Sequence, residues 1–213
     1  MSREPERHGL ARDAMLVMDA IALIRLGARL QLLQSEVALP HDRLVRLYRE
    51  VRGVPPTKGL LPFSADWYMT WMANLHASLF HGIYRFLLNE AGCRRLDALV
   101  KAYGQYLACC ESAACSPALD LTRAWTLVRF VDGGILDTMQ CVECGARFIR
   151  HRHDSRVHRR CVACHLPARA GKRAGAACAD ALQGPALAQA DEHAAWPREA
   201  SRNAAWQATW RNT

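Results

Sequence analysis

Two short cysteine pairs constrain this chain more than any other feature. Cys141-Val142-Glu143-Cys144 is followed, after sixteen residues, by Cys161-Val162-Ala163-Cys164. Two CxxC pairs at this separation have the spacing of a four-cysteine zinc site. Each pair forms a tight knuckle that turns two thiolates to one side. One Zn²⁺ accepts four such ligands tetrahedrally, at Zn–S distances of about 2.3 Å. Gly145, directly after the first pair, suits a knuckle that needs a residue without a Cβ; His165 in the equivalent place makes the second half less typical. The competing reading is a redox dithiol. Redox CxxC motifs occur singly beside a βαβ pattern, and none is visible here. Four cysteine ligands close the metal shell, which marks the site as structural, since catalytic zinc keeps a position open. The expected ligands are therefore Cys141, Cys144, Cys161 and Cys164, and the expected cofactor is one structural Zn²⁺.

Charge gathers around the same stretch. Between the pairs lie Arg147, Arg150, Arg152, Arg156, Arg159 and Arg160, with His151, His153 and His158. Residues 141–173 hold nine Arg or Lys against Glu143 and Asp154, a balance of +7 in a chain whose total is +8. Zinc with four thiolates carries about −2 and accounts for about two of those charges, not seven. A basic patch on a rigid metal staple is a phosphate-contacting surface in outline. The three histidines are expected to be exposed loop residues, because four cysteines already satisfy the metal.

Nine cysteines in 213 residues raise the question of a secreted disulfide scaffold. Met1–Asp13 is polar and lacks a signal-peptide core. Five cysteines remain outside the quartet (Cys93, Cys109, Cys110, Cys115 and Cys178), an odd number that fits a reducing cytosol. No stretch approaches the 18 or so apolar residues of a membrane span, since Asp19, Arg25 and Arg29 interrupt the best candidate. Cytoplasmic location without membrane contact is expected.

The rest of the chain reads as helical. An apolar stripe through Leu16, Leu23, Leu26, Leu30, Leu33 and Val37 predicts one helix from Ala14, apolar on more than one side and so suited to a partner interface. Pro40 breaks it, and Asp42 is the expected cap of a second helix to Arg52. Its buried face is Leu44, Leu47, Tyr48 and Val51, with Arg43, Arg46 and Arg49 turned elsewhere. Helix, turn and short basic helix give a helix-turn-helix outline, although a solvated arginine face has the same pattern. Beyond the proline-rich loop 53–62, Ser64 is expected to cap a long helix carrying Trp67, Trp71, Leu75, Leu79 and Ile83, with His76 and His81 as structural residues. Another helix is expected over Arg94–Leu107, with Cys109, Cys110 and Cys115 in the following loop, and a third from Ser116-Pro117 to Gly133-Gly134.

No phosphate loop, dinucleotide fingerprint, nucleophile elbow, zinc-protease motif or paired carboxylates are present, so nothing argues for an enzyme. Leu26-Gly-Ala-Arg-Leu-Gln31, Lys58-Gly-Leu-Leu-Pro-Phe-Ser-Ala-Asp-Trp67 and Leu121-Thr-Arg-Ala-Trp-Thr-Leu-Val-Arg-Phe130 precede the cysteine quartet in that order. With these runs the chain resembles the FlhC family, subunits of the bacterial flagellar master transcriptional activator, from about Ala14 to Pro167. The resemblance implies a complex of four FlhD and two FlhC chains that binds DNA upstream of flagellar promoters and recruits RNA polymerase. It also implies zinc on the same four cysteines. It does not say which arginines meet DNA.

The expected fold is mainly α, a helical body with a small C-terminal four-cysteine zinc module. Residues 1–13 form a flexible start, 14–134 the body, 135–167 the module and 168–213 an Ala-rich, disordered tail whose Trp196, Trp206 and Trp210 follow no spacing rule. The expected function is that of a DNA-binding transcriptional activator. The alternative is a zinc-stapled adaptor whose basic loop meets an acidic protein. A thiol oxidoreductase is a poor third.

Overall fold

The fold is mainly helical, with a small sheet near the C-terminal end of the described chain. The structure, a computed structural model, describes residues 9–57, 59–154 and 159–166. The tail with its three tryptophans, and Arg156 and His158 of the zinc loop, lie outside the described residues. In chain order the helices are α1 (Leu10–Arg25), α2 (Leu30–Glu36) and α3 (His41–Arg52), then a 3-10 turn (Asp66–Met69), α4 (Trp71–Asn89), α5 (Arg95–Ser112) and α6 (Leu121–Asp132). Two strands follow, β1 (Leu136–Gln140) and β2 (Arg147–His151), paired antiparallel.

α4 and α5 form the central pair, and α4 also packs against α6 and β2. Helix α4 is buried on more than one side, so its apolar pattern carries Leu75 and Leu79 on one stripe and Ala77, Phe80 and Tyr84 on another. Phe80 is wholly buried, stacked on Tyr84 at 6.2 Å between ring centroids and met edge-on by Tyr103 and Tyr106 of α5. Such ring pairs add to the area they bury. Two of the polar tips are satisfied: Tyr106 Oη bonds His76 Nδ1 at 2.9 Å and accepts from Leu119 N at 3.1 Å, and Tyr103 Oη donates to Leu119 O at 3.1 Å. His76 is thus the structural histidine expected.

Several helix ends differ from the expectations. The single helix expected from Ala14 to Val37 is two helices, and the first begins at Leu10, inside the stretch 1–13 expected to be flexible. Leu26 ends α1, and Gly27 follows at φ 83°. Gly27 N bonds Ile24 O and Ala28 N bonds Leu23 O, the paired closing bonds of a Schellman turn. The apolar stripe runs across the break because both helices face one core, so periodicity alone concealed it. At α3 the capping position is held by Pro40, and Asp42 sits inside the first turn. Ser64 does not start α4. A 3-10 turn intervenes, and Thr70 takes the capping position.

Helix α5 continues past Leu107 to Ser112, so Cys109 and Cys110 are helical and not in a loop. Cys110 extends the buried face of Leu99, Tyr103 and Tyr106 as a small apolar residue. Finally, α6 starts at Leu121 and not at Ser116-Pro117. Asp120 caps it, with Oδ1 accepting from Arg123 N at 2.7 Å.

Candidate metal centre and basic hairpin

The first cysteine knuckle is the turn of the β hairpin. β1 ends at Gln140 and β2 begins at Arg147, so 141–146 connect them. Cys141 N bonds Ala146 O at 2.9 Å and Gly145 N bonds Cys141 O at 3.0 Å, with Gly145 at φ 74°. A side chain at that dihedral would be strained, which explains the glycine. The second knuckle closes with the same bond, His165 N to Cys161 O at 3.0 Å, and His165 needs no left-handed dihedral to make it. This is how a histidine takes the place of the usual glycine. The knuckles are tied together by Val142 N to Arg159 O at 3.0 Å and by Cys161 N to Cys141 Sγ at 3.3 Å.

The four sulfurs of Cys141, Cys144, Cys161 and Cys164 lie within 4.8 Å of one another, and Cys144 Sγ is 3.6 Å from Cys161 Sγ. Four thiolates around an ion at about 2.3 Å are separated by about 3.8 Å along each tetrahedral edge. The donor set can therefore hold a metal ion, and all-sulfur donors select soft or borderline metals. Burial works to raise the Cys141 thiol, but the N–H groups of Cys144, Cys161 and Glu143 outweigh it and bring the thiol down to about 6. Burial raises Cys161, and burial with crowding by the other thiols pushes Cys164 far up. One thiolate forms readily, whereas four ionise together only around a cation.

The strand pleat divides the hairpin into two faces. Leu136 and Ile149 join the core of the helical body. On the opposite face Phe148 packs with Cys141 and Cys161, with Met139, Ala163 and Cys164 beside it. The hairpin therefore lies between the body and the metal centre. Trp71, expected chiefly as a core residue, also ties the two together. Its indole N–H donates to Val162 O of the second knuckle at 3.1 Å. His151 corrects a second expectation. It is not an exposed loop residue but lies half-buried on β2, with Nε2 2.9 Å from Asp66 Oδ1. Contacts spanning 85 to 91 residues leave no local signal in a sequence.

The arginines fall into two groups. Arg150 faces Asp137 across the sheet at 3.7 Å, and Arg160 pairs with Glu143 at 2.9 Å. Arg43 of α3 makes two bonds of 2.7 Å to the Asp13 carboxylate of α1. By contrast, Arg147, Arg152 and Arg159 are exposed around the hairpin, and Arg46 and Arg49 are exposed on α3. No described residue forms an ion pair with any of these five. Beneath α3, α2 and the turn at 37–40 bury Leu32, Leu33, Val37 and Leu39, and α3 adds Leu44 and Tyr48.

A profile of the family described as Flagellar transcriptional activator (FlhC) matches residues 6–177. The chain is 63% identical over 185 residues to the Flagellar transcriptional regulator FlhC of Burkholderia lata, covering 83% of this chain and 82% of that one. It is 54% identical over 189 residues to the protein of that name in Paraburkholderia phymatum, covering 89% and 86%. The Yersinia enterocolitica protein is 50% identical over 164 residues, covering 76% and 83%. The matched segments in the first two span most of each chain, and the residues matched by the family profile include both the helical body and the four clustered cysteines. The chain belongs to the FlhC family of flagellar transcriptional activators.

Proposed function

We propose that this chain is the DNA-binding, zinc-stapled subunit of a flagellar transcription activator, working in the cytoplasm with an FlhD-type partner in a complex of four partner chains and two of these. The complex binds double-stranded DNA upstream of flagellar promoters and recruits RNA polymerase. One observation carries the reading: a hairpin bearing exposed arginines has a cysteine knuckle as its turn, and four sulfurs converge behind it. One Zn²⁺ on Cys141, Cys144, Cys161 and Cys164 supplies a closed, structural centre with no position for substrate, so no enzymatic step is assigned to it.

Arg147, Arg152 and Arg159 contact phosphates. Arg156 is a further candidate from its place in the loop. Arg150 and Arg160, engaged by Asp137 and Glu143, chiefly hold the hairpin in shape. Arg46 and Arg49 on α3 add a second DNA contact, and Arg43 anchors α3 to α1. The outer face of α1, with Met15 and Met18 exposed, receives the partner subunit. The body at 14–134 then serves assembly and the module at 135–167 serves DNA.

The test uses the complex purified with its partner subunit, with metal quantified by atomic emission. Binding is titrated on a flagellar promoter fragment and on a scrambled fragment. The reading requires one zinc per chain and a clear promoter preference. Equal, weak binding to both fragments contradicts it and favours an adaptor with an acidic protein partner.

A further inference from the structure

Three side chains of α4 face the metal module without belonging to its ligands or to the arginine set. Ile149 of β2 sits opposite Thr138 in the sheet, and its backbone N–H and C=O are both taken up by α4. The N–H donates to Ser78 Oγ at 3.0 Å, and the C=O accepts from Asn74 Nδ2 at 2.8 Å. Ser78 Oγ in turn donates to Asn74 Oδ1 at 3.5 Å. A closed ring of hydrogen bonds thus leaves the strand, passes through two side chains one helical turn apart and returns to the same residue. The remaining Nδ2 hydrogen of Asn74 goes to Tyr68 O at 2.9 Å, which fastens the 3-10 turn to the same point. Asn74 is 3% exposed and Ile149 1%, so water cannot replace these partners. Residues 71, 74 and 78 share one helix face, and the first of them is Trp71, bonded to the second knuckle.

A two-stranded sheet has an open edge on each strand, and buried edge groups without partners are costly. Here two helix side chains cap the buried edge in place of a third strand. A register slip or a rotation of the hairpin would orphan both Ile149 groups and the Asn74 amide together. Apolar contacts through Ile149 alone would tolerate small rotations. The ring does not, because donors and acceptors match in only one arrangement.

We propose that Asn74, Ser78 and Trp71 are positioning residues, a polar latch that holds the hairpin and the second knuckle in one orientation on the helical body. The exposed arginines then form one rigid surface, a consequence that rests on the DNA-binding reading above; the latch itself rests on geometry.

The test uses the full zinc-loaded chain with its partner subunit and three variants. Asn74→Asp keeps the shape and removes both amide donors, Ser78→Ala opens the ring, and Trp71→Phe removes the bond to Val162. In the first two, amide hydrogen exchange over 136–151 rises about tenfold while α5 is unchanged, and zinc stays at one per chain. Promoter preference falls by about the same factor. Trp71→Phe speeds transfer of zinc to a chelator. If exchange over the hairpin is unchanged, or rises equally in α5 and the hairpin, the side chains contribute only general stability and the proposal fails. Should Asn74→Asp not fold, Ser78→Ala and Trp71→Phe decide the matter by the same readouts. A wild type without promoter preference would sink the DNA-binding reading, while the exchange data still decide on the latch.

Discussion

The helical body and the hairpin module bury very different amounts of apolar surface. The body encloses a continuous core from Ala20 of α1 to Ile149 of β2, with Phe80, Tyr68 and Tyr106 almost wholly enclosed. Among the described residues, the module's own cluster has only Cys141, Phe148 and Cys161 buried, and two of those three are candidate metal ligands. A body of this kind is held by burial. A module this small has little burial of its own to hold it, which is the setting in which a metal staple contributes most, and Leu136 and Ile149 tie it into the body's core.

The largest expected effect separates the two regions. Cys141→Ser, or treatment with a chelator, should remove the proposed structural zinc, and sites of that kind carry about 10–16 kcal/mol in apparent binding free energy. Residues 136–166 should then lose amide protection while α4 to α6 keep theirs. Simultaneous loss of protection throughout the chain would show that the body also depends on the metal. Phe80→Ala reverses the comparison. It should cost about 3–5 kcal/mol of global stability in denaturant unfolding and leave the metal stoichiometry of the folded protein unchanged.

Acid should also act on the body. Burial, helped by Arg85, pushes His81 down to about 4 from its ordinary 6.5. The unfolded chain therefore binds this proton more readily than the folded one. The stabilisation is complete above pH 6.5 and is lost as pH falls toward 4, by up to about 3 kcal/mol. Unfolding of His81→Leu should lack that component of the pH dependence, and an identical pH profile would refute the assignment. The smallest effect is local: Asp120→Ala removes the cap of α6 and should cost about 1 kcal/mol, read as a lower midpoint in urea.

The two regions also differed in how legible they were in the sequence. The cysteine spacing was readable because metal ligation imposes a local rule, and the sulfurs do converge. Helix existence was readable from periodicity, whereas ends were not. Leu26-Gly27 hid inside an unbroken stripe, and Asp120 outcompeted Ser116-Pro117 as a cap. Asn74 was invisible, being a polar residue within an aromatic helix whose partner Ile149 lies 75 residues away. Nor could spacing separate the arginines held by carboxylates from the rest. Arg43 is bound to an aspartate 30 residues before it.

Contact between DNA phosphates and the exposed arginines of a metal-stapled hairpin is the central claim. The direct measurement is promoter affinity as a function of salt, for the zinc-loaded complex and for one in which Arg147, Arg152 and Arg159 are changed to Ala. Each phosphate contact contributes about 0.9 to the slope of log affinity against log salt. Loss of three contacts from each of the two chains should flatten the slope by about 5.4 with zinc content unchanged. An unaltered slope and affinity would place the DNA surface elsewhere on the molecule and contradict the role given to the hairpin.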